Sequence, residues 1–116
     1  AAQAEEAQDL IKRCVRDGLT LWVPITVALE LEWVLRSRYG FAKDDVLLAL
    51  ASLLSAAELT MESERALEVA LQLFRTGAAD FADCLHAALA THAGEGPLWT
   101  FDKAAAKVSG ARLLTR

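Results

Sequence analysis

Apolar residues at Ala7, Leu10, Ile11, Cys14 and Val15 follow the i, i+3, i+4, i+7, i+8 rhythm of one helix face, which predicts an amphipathic helix over residues 4–16. Gly18 ends it. Residues 20–23 form a short β-rich run stopped by Pro24, and a second helix is predicted over 26–38, closed by Tyr39 and Gly40. Residues 43–55 are apolar around more than one face, through Val46, Leu47, Leu48, Leu50, Leu53 and Leu54. So wide an arc asks for a second packing partner.

Residues 58–61 read as a short strand and 64–74 as a helix, with Ser63 placed to cap it and Gly77 to end it. A further helix over 81–92 starts at Asp80 as N-cap, with Asp83 three residues on in a capping-box spacing. Gly94 and Gly96 follow. Then come a strand at 97–100, a short helix at 103–108, a turn at Gly110 and a strand at 111–114. Helices alternating with short apolar strands predict an α/β architecture, its sheet parallel and covered on both faces.

Composition narrows the class. At 116 residues the chain is long enough for one core and too short for two, and with 54% hydrophobic but only 7% aromatic residues that core is filled mainly by Ala, Leu and Val. Cys14 and Cys84 lie far apart in apolar helical settings, so they read as buried free thiols of a reducing compartment. No apolar run approaches the roughly eighteen residues of a membrane span, and the first ten residues have no signal-peptide pattern. The expected location is the cytoplasm, away from membranes. A formal net charge of −4 argues against a general nucleic-acid coat, while leaving room for a local basic rim.

The candidate chemistry lies in carboxylates at the ends of apolar elements. A charge in such a setting shifts its pKa, pairs, or binds a cation. In a parallel α/β sheet, sites form beyond the carboxyl ends of the strands, where Asp102 follows the strand ending at Thr100 and Glu30 lies in the helix after residues 20–23. Glu30 and Glu32 stand about 200° apart around that helix, so one faces the core and the other solvent. Periodicity alone leaves them nearly even. Glu30, Asp83 and Asp102 together have the oxygen-only chemistry of a Mg²⁺ or Mn²⁺ site, and no His/Cys spacing suits zinc.

Residues 29–38 (LELEWVLRSR), 80–88 (DFADCLHAA) and 100–102 (TFD), in this order, resemble a PIN domain, particularly the VapC-type toxins of bacterial toxin-antitoxin pairs. The resemblance spans essentially the whole chain as one domain. It implies a three-layer fold with a short central parallel sheet flanked by helices, and a Mg²⁺- or Mn²⁺-dependent ribonuclease. Carried onto this chain, the acidic ligands are Glu30, Asp83 and Asp102, with Thr100 orienting them, so the resemblance makes Glu30 rather than Glu32 the inward acid. The family pattern also opens on a strand ending in aspartate, which these residues lack; Asp9, inside the first helix, is a poor substitute. The implied protein is therefore longer than these residues, and the chain alone is expected to hold metal weakly.

Other assignments follow with their rivals. Asp80 reads as a cap before it reads as a ligand, Asp83 could serve only as the third residue of that cap, and Asp102 also suits capping of the next helix. His86 reads as a core residue or a supporting donor, His92 as an exposed residue at a helix C-terminus, and Trp22, Trp33 and Trp99 as core fillers. Arg36, Arg38 and Lys103 are candidate contacts to RNA phosphates. The apolar surface of residues 46–54 with Val69, Leu71 and Leu73 is either ordinary core or the face of a homodimer or of a cognate antitoxin, as the resemblance implies. The alternative function is a catalytically inactive PIN-like interaction domain that binds a partner protein.

Overall fold

The computed structural model describes residues 2–115, with the side chains at 3, 4, 7 and 11 outside that description. The predicted apolar contacts of Ala7 and Ile11 therefore lie outside the described residues. In order, the elements are α1 (Ala2–Arg16), β1 (Leu21–Val23), α2 (Ile25–Ser37), α3 (Lys43–Ser55), β2 (Leu59–Met61), α4 (Glu64–Thr76), α5 (Phe81–His92), β3 (Leu98–Thr100), a 3₁₀ turn (Ala105–Lys107) and β4 (Ala111–Leu113).

The core forms where α4 and α5 pack against each other and α3 closes over them. Phe81, Leu50, Leu67, Leu85, Val46 and Cys84 are its largest fully buried side chains, and the rings of Phe74 and Phe81 meet edge to face with centroids 5.8 Å apart. Small residues, Ala66, Ala70, Ala87 and Ala88, let these helices approach. The apolar breadth of α3 is therefore explained largely by core: Val46, Leu47 and Leu50 are buried, as is Leu71 of α4, and only Leu48 and Val69 remain exposed of the residues considered for a partner face.

The α/β class and the parallel strand direction hold, but the strands form two pairs rather than one continuous sheet. β1 pairs with β2 in the register Leu21↔Leu59, and β3 pairs with β4 in the register Leu98↔Ala111. In a parallel pair alternate residues bond to opposite sides. Leu21 N–H donates to Glu58 O and Glu62 N–H to Val23 O, so the peptide groups of Trp22 point away from β2. The same alternation at Leu98 and Thr100 turns those of Trp99 away from β4. Each pair thus presents an open edge among the described residues, centred on a tryptophan.

The three tryptophans are not core fillers: Trp22, Trp33 and Trp99 are 60%, 53% and 55% exposed. Strand alternation sends Leu21 and Val23 toward the core and Trp22 to the other face, and Trp99 is turned out in the same way between Leu98 and Thr100. Among the described side chains of α1, Cys14 is buried while Leu10 and Val15 are exposed. The radius of gyration is 16.0 Å where a compact domain of this length has about 13 Å.

Candidate active site

The site is built from the N-terminus of α5 and the end of β3. Asp80 caps α5 as its spacing predicts: its Oδ1 accepts a hydrogen bond from the Asp83 N–H at 2.9 Å. The helix then buries Phe81, Cys84 and Leu85, which fixes Asp83 on the adjoining, partly buried flank. Burial pushes the Asp83 carboxyl above its ordinary range, the neighbouring Asp80 and Asp102 carboxylates push it further, and His86 opposes them. Asp80 and Asp102 thus both lie within electrostatic reach of Asp83.

Asp102 is held by its own loop. The Thr100 Oγ1 accepts from the Asp102 N–H at 3.1 Å, and Asp102 Oδ1 accepts from Ala104 N–H at 2.8 Å and Ala105 N–H at 3.4 Å. Thr100 therefore orients the main chain of Asp102, and Asp102 caps the 3₁₀ turn with one oxygen. Its other oxygen, Oδ2, takes no hydrogen bond among the described residues.

The two glutamates of α2 exchange the roles expected of them. Ala28 and Glu32 are buried, and Glu30 points to the opposite, exposed side with Val27 and Trp33. Glu32 enters the interior because a cation comes with it: Arg36, one turn on, donates Nε to Oε2 at 2.7 Å and Nη2 to Oε1 at 3.4 Å. That pairing holds the Arg36 guanidinium firmly protonated, with a smaller contribution from Asp80. Glu30 is not among the charges acting on Asp83. A helical wheel has no means of distinguishing these two acids, but an Arg four residues after Glu32 is the signal that favours it.

The remaining predicted residues are at the surface. Arg38 follows the last turn of α2, Lys103 follows Asp102, and both are exposed. His92 is exposed in the last turn of α5 as expected, whereas His86 is also exposed and not a core residue. Ser63 does not cap α4 through its side chain; it takes a left-handed conformation with φ 56°. Cys14 and Cys84 are buried free thiols, and burial pushes the Cys84 thiol up, away from the reactive thiolate.

Two supports had no local signal in the sequence. Lys43, at the start of α3, donates to Gly77 O at 2.8 Å and lies 4.7 Å from the centre of the Phe74 ring, tying the end of α4 in place just before Asp80. Glu62, after β2, accepts the N–H of Ile25 at 2.9 Å and so caps α2 from a distant part of the chain.

The oxygen donors fit Mg²⁺ or Mn²⁺ in kind, since such ions bind through one or two carboxylates and retained waters. Among the described residues, however, no three His, Cys, Asp or Glu side chains stand close enough to share one ion.

The chain matches the PIN domain over residues 2–111 and belongs to that family, whose members are typically metal-dependent nucleases. No curated protein and no solved structure matches it. Among the described residues no helix is long and apolar enough to cross a membrane.

Proposed function

We propose that this chain is the body of a VapC-type toxin, an endoribonuclease that hydrolyses RNA with Mg²⁺ or Mn²⁺, works in the cytoplasm and is restrained by a cognate antitoxin. What supports this reading is the contact of α5 with β3 in a PIN domain, with Asp80 and Asp102 both acting on Asp83. Asp83 and Asp102 are the metal ligands on this reading, and Glu30 joins them in the whole protein. Asp80 holds the first turn of α5 and Thr100 holds the Asp102 loop.

The open edges at Trp22 and Trp99 suit one further strand between the two pairs, whose end would supply the missing ligand. The apolar residues exposed on β1, α2 and β3, Trp22, Val27, Trp33 and Trp99, are then covered in the whole protein. A divalent cation, when bound, supplies charge neutralisation at the scissile phosphate and acidifies water. The chain's own part is to fix its carboxylates in place and to present Arg36, Arg38 and Lys103 as a basic rim for RNA phosphates. Leu48 and Val69 are the exposed apolar positions left on α3 and α4 for a second copy of the chain or an antitoxin.

Cleavage of single-stranded RNA by the whole protein tests this reading. Wild type is expected to cut only with Mg²⁺ or Mn²⁺, and Asp83→Asn, Asp102→Asn and Glu30→Gln each to lose about 100-fold or more in rate, the scale on which one electrostatic stabiliser acts. Full cleavage by all three variants contradicts the site assignment, and no cleavage by wild type contradicts the enzymatic reading and leaves a PIN-like interaction domain.

A further inference from the structure

Glu32 is the buried charged side chain among the described residues, only 4% exposed, and its partner Arg36 reaches it from a surface position. A surface pair would need no explanation. A buried carboxylate does, because its desolvation is offset only by good geometry, and an apolar residue at position 32 would serve the core as well.

The stereochemistry of the pair indicates what it does. Arg36 gives Glu32 its Nε and one hydrogen of Nη2, the side edge of the guanidinium. The end edge, Nη1 with the second hydrogen of Nη2, takes no hydrogen-bond partner among the described residues, and it is the edge that grips a phosphate in a two-point fashion. The arginine side chain is 54% exposed, so that edge reaches solvent. α2 packs against α5, and Asp80 at the head of α5 is close enough to act on Arg36. Arg36 thus lies on the helix that meets α5, within electrostatic reach of Asp80.

We propose that Glu32 is a positioning residue: it anchors Arg36 by one edge so that the other takes a backbone phosphate of single-stranded RNA on the side where α2 meets α5. This rests on the ribonuclease reading above. Glu32 touches no substrate; it removes the rotamer freedom that a surface arginine would otherwise lose on binding. A lysine in place of Arg36 would not substitute, since its single ammonium would be drawn to the buried carboxylate with no second edge left for RNA.

Binding of a labelled short single-stranded RNA to the whole protein, followed by fluorescence anisotropy in Ca²⁺ over a range of salt, tests this. Arg36→Lys is expected to bind about tenfold more weakly, while keeping the fold because Glu32 stays paired. The neutral pair Glu32→Gln with Arg36→Gln avoids an unpaired buried charge; it is expected to bind about tenfold more weakly and to lose about 0.7 from the slope of log K against log salt. Glu32→Gln alone keeps the slope and loses affinity, an outcome that a merely structural pair would not produce. Unchanged affinity and slope in both Arg36→Lys and the neutral pair overturn the inference, and if wild type still cleaves RNA the ribonuclease reading survives it. Wild type that binds through Arg36 but does not cleave supports the inference and removes the enzymatic reading; wild type that neither binds nor cleaves overturns both.

Discussion

Burial and two carboxylate neighbours act on Asp83 in the same direction, raising it from an ordinary value of 3.8. A carboxyl raised in the folded state adds stability that is fully present below that ordinary value and is lost as pH rises through the raised one. Without divalent ions, Asp83→Asn is therefore expected to flatten the pH dependence of stability above about pH 4 and to raise Tm at neutral pH by about 2–5 °C, measured by thermal melts across pH. Asp80→Ala has the opposite sign, costing about 0.5–2 kcal/mol in denaturant unfolding, because the Asp83 N–H at the start of α5 loses its acceptor. Asp80 was legible as a cap because capping is a local geometry that spacing encodes. The choice between Glu30 and Glu32 was not, because it depends on which side of α2 meets its neighbours and on the Arg36 pair.

Helix α3 runs over the residues its apolar pattern predicts, and the other helices lie within two residues of theirs at each end, since periodicity and the glycine stops are local signals. What lies between elements is less legible. The cap of α2 comes from Glu62, which no window around Pro24 contains. Glu62→Ala should cost about 1 kcal/mol in denaturant unfolding while leaving the Asp80 end of α5 unchanged. Gly110 is fixed by a tertiary approach: with φ +91°, a Cβ there would meet Thr91 Oγ1 at 2.7 Å. Gly110→Ala is expected to destabilise by about 1–3 kcal/mol, from the left-handed backbone and the close neighbour together, and denaturant unfolding measures it.

At the scale of the whole molecule, strand direction and the α/β class were readable from alternation, whereas the division into two parallel pairs was not. Strand pairing is a long-range property, and the tryptophans at the centres of β1 and β3 look like core residues in any sequence window. The open edges at Trp22 and Trp99 and the exposed face of α2 with Glu30 are what one more strand would cover on the proposed reading. On this account Asp83 and Asp102 are part of a cation site, and the whole protein gains stability from the ion through mass action. Melting the whole protein against increasing Mn²⁺ tests that most directly. Tm of wild type is expected to climb with Mn²⁺, and that of the Asp83→Asn, Asp102→Asn double variant to stay level; equal climbs in both, or none in wild type, would contradict the account.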